Sequence, residues 1–188
     1  MHAAVLALCA AALLAAAAPA VAQPPAAPAT TPAGASRTIS WDDLVPPDWD
    51  PMKEFKGMDF GLLQDSDPRA QELLKKLREV WDNAPTNPKL DGQAVRLPGF
   101  VVPLEEGKDG LREFLLVPYF GACIHSPPPP ANQIIHVLPK SAAKGLRSMD
   151  TVWVTGTLRT VRTDSFMGTA SYRLEAAGVA PYSAEKTR

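Results

Sequence analysis

One segment of the chain, "DSDPRAQELLKKLREVWDNAP" at residues 65–85, carries apolar positions at helical spacing. Asp67 suits the N-cap of a helix and Pro68 its first turn, and Pro85 ends the pattern. One face of this helix would hold the apolar side chains, namely Ala70, Leu73, Leu74, Leu77, Val80 and Trp81. The pattern predicts a single amphipathic helix that packs on the core.

From Gln93 onward the pattern changes to that of β-strands. The strand segments are "AVRLPGFVVPL", "LREFLLVPYF", "QIIHVLP", "DTVWVTGTLRTV" and "TASYRLEAAGVAPY". In the fourth segment Val152, Val154 and Leu158 alternate with polar or larger residues. About five strands with glycine or proline kinks predict a mostly β (α+β) fold, a five-stranded OB-like Greek-key barrel with one packed N-terminal helix. A plain antiparallel α+β sheet is the alternative.

The N-terminal residues predict that the protein is exported. Residues 1–22 form an apolar run that ends in a small-x-small pattern, so we expect a signal peptide cleaved after Ala22 and a periplasmic protein. Cys9 follows Leu8 inside that run, so no lipid anchor is expected, and the run is too short for a membrane span. Residues 23–37 predict a disordered Pro/Ala-rich linker, 38–183 a single globular domain and 184–188 a short tail.

The charge balance and the cysteine content limit the kinds of partner and site that the chain can have. The chain has 19 basic and 20 acidic residues and no basic run, so nucleic acid is not expected as a partner. Without the signal peptide, Cys123 is the only cysteine, and a lone thiol in an oxidising compartment has no internal disulfide partner. It must be buried, bound to a metal, paired with another molecule, or reactive.

Cys123 begins the most informative stretch, "CIHSPPPPANQIIH", which also holds His125 and His136. Residues two apart on a strand share a face, and the next strand would bring His136 alongside if its register puts it on the same side. A thiolate and two imidazoles suit zinc, with copper as the alternative, and three ligands leave one coordination position open.

The stretch also predicts further binding and loop residues. Consecutive prolines have fixed φ and donate no hydrogen bonds, so they would hold the turn stiff. The candidates are Tyr119, Pro127, Pro128, Pro129, Pro130, Asn132 and Gln133. For Tyr119, core packing is the alternative role, and for the two amide side chains it is backbone capping.

Three other interpretations of this stretch remain open. Cys123 can be a buried small residue with hydrogen-bonded histidines around it. The tetraproline loop can be exposed and dock a partner protein without metal. A thiol enzyme with Cys123 activated by a histidine comes third, so enzymatic activity stays uncertain and is not favoured. Met149 and Met167 would matter for Cu(I), but they are dispersed in sequence.

The chain also resembles a bacterial exported family known as domain of unknown function 3299. The resemblance is carried by "ISWDDLVPPDWDP", "LPGFVVPLE", "FLLVPYFGACIHSPPPPANQIIHV" and "VWVTGTL", and it covers Ile39 to Tyr182. It implies a periplasmic or lipid-anchored protein with transporter-like partners and an association with zinc-responsive genes, and it transfers no catalytic residues. We therefore expect a periplasmic metal-binding accessory protein, of metal homeostasis or of an envelope transporter.

Overall fold

Five strands close into a barrel in the computed structural model, which describes residues 36–56, 67–122 and 129–183. The described strands are β1 Arg37–Thr38, β2 Ala94–Gly107, β3 Gly110–Val117, β4 Ile135–Pro139, β5 Thr151–Arg159, β6 Thr163–Ser165, β7 Gly168–Ala170 and β8 Tyr172–Pro181. The helix α1 spans Pro68–Asp82, and short 3₁₀ turns lie at Asp42–Leu44, Lys53–Phe55, Pro88–Leu90 and Ala131–Gln133.

The barrel strands follow the order β2–β3–β4–β8–β5, and β5 pairs with β2 to complete the circle. Neighbours are antiparallel except β4 and β8, which run parallel. The long strand β2 pairs with two neighbours, with β5 up to Phe100 and with β3 from Phe100 onward. This closed, OB-like barrel with one helix confirms the predicted fold class.

Side chains fill the interior of the barrel. This inner core contains Ile39, Leu44, Leu90, Val95, Leu97, Val101, Leu111, Phe114, Leu116, Ile135, Val137, Val152, Val154, Leu158, Tyr172, Leu174 and Ala176. A smaller buried group, the outer cluster, lies on the outer face of β2, β3 and β4 and contains Val102, Leu115, Val117, Ala122, Ile134 and Ala170. The predicted inward face of β5 is confirmed by the buried Val152, Val154 and Leu158.

At Gly156 the strands β5 and β8 approach each other closely. The register of β5 against β8 shifts between Thr155 and Gly156. A Cβ atom at Gly156 would collide with the backbone of Glu175 and Ala176. Glycine therefore permits the close strand approach and the local bulge that a small barrel needs.

The helix begins as the sequence predicts, with the Asp67 carboxylate accepting a hydrogen bond from Arg69 N at 2.8 Å. Ala70 and Leu77 are buried, whereas Leu74 is 41% exposed. The prediction that Leu74 belongs to the packed face is wrong, because it lies at the margin of the apolar stripe. No helix in the described ranges has the length and apolar character needed to cross a membrane.

Candidate functional site

His136 lies on the outer face of the barrel, in β4. Its neighbours Ile135 and Val137 belong to the inner core, and side chains alternate along a strand, so His136 points outward. Ile134, also outward, belongs to the outer cluster. His136 is nevertheless only 5% exposed. A polar ring is therefore enclosed on a face of the sheet where solvent would be expected.

Glu113 is the polar partner of His136. It lies on the outer face of β3, two residues from Leu115, which stands opposite His136 in the antiparallel register. The Nε2 atom of His136 lies 3.1 Å from Glu113 Oε2. A carboxylate only accepts hydrogen bonds, so Nε2 is the donor to Glu113, and in the neutral ring Nδ1 is the nitrogen with the lone pair. Nδ1 is buried and has no hydrogen-bond partner within the described part of the chain.

Arg173 stands on the other side of His136. The two residues are in register across the parallel pair β4 and β8, on strands about 4.8 Å apart. Arg173 Nη2 donates to Thr163 Oγ1 at 3.3 Å, and its Nε is buried without a hydrogen-bond partner among the described residues. A guanidinium keeps its charge at any ordinary pH. His136 therefore lies between a carboxylate on one strand and a cation on the next.

Two of the three predicted ligands, Cys123 and His125, fall outside the described residues, as do Pro127 and Pro128. Their convergence with His136 stays a prediction. Among the residues that are described, no three His, Cys, Asp or Glu side chains gather in a way that could hold a metal ion.

Ala122, the residue before Cys123, is described, and its packing shows on which face of the barrel it lies. Ala122 belongs to the outer cluster together with Ile134. Ile134 directly precedes β4 in an extended conformation and lies two residues before His136, so Ala122 packs on the face that carries His136. His136 faces the outer side of the barrel, and whether Cys123 shares that side stays a prediction.

The remaining predicted loop residues are placed as follows. Asn132 is fully buried and its Nδ2 donates to Pro85 O at 2.9 Å. Gln133 Nε2 donates to Trp41 O at 2.8 Å, so both amides bond to the backbone of distant segments. Pro129 is buried and Pro130 half-buried, which removes part of the tetraproline surface from contact with a partner.

Tyr119 is 52% exposed, so the alternative of core packing is wrong for this residue. It precedes Phe120, whose ring packs edge-on against Phe100 with centroids 6.0 Å apart. Tyr119 therefore lies at the rim of the outer cluster and not inside it.

Sequence reasoning missed Glu113 and Arg173. Each is a charged residue at an outward position of a strand, which alone is ordinary for a surface strand. The available signal was the outward phase of Glu113 in "LREFLLV", but nothing in the sequence connects it to a histidine on another strand.

A family model and two solved structures match parts of the chain. Residues 41–181 match the family model described as "Protein of unknown function (DUF3299)". A crystal structure of a DUF3299 family protein from Pseudomonas aeruginosa PAO1 is similar with a TM-score of 0.60 and 34% identity, covering 81% of this chain and 99% of that one. A chain from Leishmania major Friedlin, assigned as an aspartyl-tRNA synthetase, reaches a TM-score of 0.34 at 13% identity, covering 50% of this chain and 18% of that one. None of the curated proteins matches. The chain belongs to the DUF3299 family.

Proposed function

We propose that this protein binds a transition-metal ion through Nδ1 of His136, with Cys123 and His125 as the other protein ligands. Zinc is the first ion to test and copper the alternative. The cellular role that we propose is that of a periplasmic accessory protein in metal homeostasis or of an envelope transporter. This role rests on the apolar N-terminal segment and on the family resemblance.

The arrangement around His136 is the observation that carries the proposal. A histidine that binds a metal through one ring nitrogen almost always donates its other ring N–H to a carboxylate, a carbonyl or water. His136 has this arrangement, with Nε2 bonded to Glu113 and Nδ1 buried without a described partner. Leaving a buried acceptor unpaired costs about 1–3 kcal/mol, so a ligand at Nδ1 would remove that cost.

The charge of Arg173 favours an anionic ligand set. Arg173 is in register with His136 on the neighbouring strand, and its positive charge would repel a divalent ion bound at His136. A thiolate ligand offsets this repulsion, since it brings a full negative charge to the ion. Cys123, the only cysteine after the signal segment, is the residue that supplies it.

A zinc titration of the mature protein against a competing chelator tests the proposal. We expect saturable binding of one ion in the wild type and at least a tenfold weaker affinity, on the order of 1.4 kcal/mol, in His136→Gln and in Cys123→Ser. Affinity should fall as the pH is lowered, because thiol and imidazole must lose their protons to coordinate. Far-UV circular dichroism verifies that each variant is folded.

Two results would contradict the proposal. One is the absence of saturable uptake by the folded wild type. The other is a His136→Gln variant that binds as tightly as the wild type. Glu175→Gln is the matched control, because Glu175 is an exposed carboxylate that faces outward on β8. Its affinity should equal that of the wild type.

The same histidine favours a second candidate function, a thiol enzyme. A ring nitrogen with a free lone pair, oriented by a carboxylate through the other nitrogen, is also the arrangement of a general base that activates a nucleophile. The nucleophile would be Cys123. Alkylation by iodoacetamide distinguishes the two functions. Rapid modification at mildly acidic pH that slows in His136→Gln, without any zinc uptake, would favour the enzyme.

A further inference from the structure

The last part of strand β8 has one edge that no described strand covers. Its other edge pairs with β5 to the end of the strand. The parallel neighbour β4 ends at Pro139, opposite Ala176, and the chain then makes one more bond to β8, from Lys140 N to Ala176 O at 3.0 Å. Residues 178–181 therefore have a partner strand on one side only within the described part of the chain. This side is called the open edge below.

The backbone of Val179 is directed toward the open edge. Tyr182 N donates to Thr151 O at 2.9 Å, so the backbone groups of Tyr182 face β5. In an antiparallel pair such residues alternate with residues whose N–H and C=O face away from the partner strand. The register over 178–181 is continuous, so Val179 and Pro181 face the open edge. Proline has no N–H, so the edge offers the N–H of Val179 and the carbonyl groups of both residues.

A groove with a volume of about 250 Å³ lies beside the open edge. Strand β8 forms one side of it, and residues 139–144 form the other. This second side is fixed at both ends. The bond between Lys140 and Ala176 holds one end, and two backbone hydrogen bonds between Ala143 and Leu111, at 2.8 and 3.0 Å, hold the other. The groove is thus formed before any ligand arrives, which lowers the cost of ordering on binding.

The charged side chains that line the groove are all positive. They are Lys140 and Lys144, both exposed, and no carboxylate is among the lining residues that the structure describes. Lys144 also lines a neighbouring depression together with Glu106 and Asp109, so its charge is partly offset there. Lys140 is therefore the stronger attraction for an anionic ligand in this groove.

From the open edge, the groove and its charge, we propose that β8 binds an extended acidic segment of a partner protein, which adds a strand beside residues 178–181. In this mode of recognition, hydrogen bonds to the main chain give affinity and alternate side chains give selectivity. The segment would continue the line of β4, accepting from Val179 N and donating to the carbonyl groups of Val179 and Pro181. At about 3.3 Å per residue, the edge accommodates about four residues. Carboxylate side chains of the segment would pair with Lys140 and Lys144.

Amide hydrogen exchange of the folded mature protein, followed by NMR, tests the inference. The probe is the acetylated and amidated peptide Val-Glu-Val-Glu-Val-Glu, and its counterpart has lysine in place of glutamate. In the free protein the Val179 amide should exchange fast, whereas the Ala180 amide, which faces β5, should exchange slowly. An excess of the acidic peptide should slow exchange at Val179 by at least about tenfold, and the lysine peptide should not.

Charge reversal at the groove gives a second measurement, with affinity read from the fluorescence anisotropy of a labelled acidic peptide. Lys140→Glu and Lys144→Glu should each weaken binding at least about threefold, because an attraction at the rim becomes a repulsion. The effect should be larger for Lys140→Glu. Lys75→Glu is the matched control, since it makes the same charge change at an exposed position of α1. At physiological ionic strength it should leave the affinity unchanged. Circular dichroism verifies that each variant is folded.

Four results would overturn the inference. The first is slow exchange of the Val179 amide in the free protein at every concentration, because the edge would then be closed. The second is slow exchange that develops as the protein concentration rises, which would make a second copy of the chain the occupant. The third is an unchanged exchange rate at Val179 in excess acidic peptide. The fourth is equal protection of Val179 by the lysine peptide, which would remove the role of charge.

Discussion

Replacing Tyr172 with phenylalanine removes one hydroxyl that joins three segments of the fold. The ring is fully buried, and its hydroxyl donates to Leu44 O at 2.6 Å and accepts from Asn87 N at 2.5 Å. Strand β8 is thereby tied to the N-terminal segment and to the connection after α1. Both backbone partners lose their bond in the variant, and a buried group left unpaired costs about 1–3 kcal/mol.

We expect Tyr172→Phe to lower the free energy of unfolding by about 2–3 kcal/mol, counting the buried Leu44 carbonyl fully and the half-buried Asn87 N–H in part. For a domain of this size, 1 kcal/mol corresponds to about 2–4 °C in Tm, so the melting temperature should fall by about 5–10 °C. Urea unfolding followed by tryptophan fluorescence measures the difference.

The same hydroxyl makes stability depend on alkaline pH. Burial raises the pKa of Tyr172 to about 12, although the hydrogen bond from Asn87 opposes the rise. The unfolded chain loses this proton near the ordinary pKa of about 10. The stabilisation is therefore complete below pH 10 and is lost as the pH rises from about 10 to about 12. Tyr172→Phe should lack this part of the decline.

Tyr182→Phe is the matched control. Tyr182 is 45% exposed and its ring stacks on Trp153 with centroids 5.5 Å apart, so stability should change by less than about 0.5 kcal/mol. A Tyr172→Phe variant as stable as the wild type at neutral pH would refute the reasoning. So would an unchanged loss of stability between pH 10 and 12 in that variant, because another group would then be responsible.

Three further substitutions separate binding from folding. Glu113→Gln keeps an acceptor for its histidine but loses the charge, so zinc affinity measured by chelator competition should fall about tenfold, while Glu175→Gln has no effect. Asn132→Ala loses a buried hydrogen bond, so the free energy of unfolding measured in urea should fall by about 1–3 kcal/mol. Zinc affinity should stay unchanged, and a large loss of affinity would contradict a purely structural role for Asn132. Gly156→Ala should cost about 1–3 kcal/mol, because the added methyl group meets the backbone of β8; unchanged stability would contradict that contact.

The fold was accessible from the sequence because its signals are local. The cap at Asp67 and the spacing of Ala70 and Leu77 depend on neighbours within a few residues, and all three behave as predicted. The alternation along β5 predicts its buried face in the same way. Leu74 deviates because its burial depends on which segments pack against the helix, which periodicity does not contain.

The site was only partly accessible because it depends on register between strands. His136 was singled out by residue type, but its partner Glu113 is fixed by pairing of β3 with β4, and a shift of one residue would place it on the other face. The packing of Met149 and Met167 against the outer cluster depends likewise on two connections whose course the sequence does not specify. The hairpin of β6 and β7 was missed because strands of three residues show too little alternation.

The filled interior explains why the Glu113–His136 pair lies on the outer face of the barrel. Small barrels are filled by their own side chains, and the inner core here includes Phe114 and Tyr172, which are both fully buried. A polar pair must therefore stand on the outer face, where water would normally weaken it. Here Ala170 of the hairpin and Ala122 join the outer cluster, and Thr163 bonds to Arg173. The ring of His136 is 6% exposed, whereas the side chain of Glu113 is 40% exposed, so water screens the pair from the Glu113 side only.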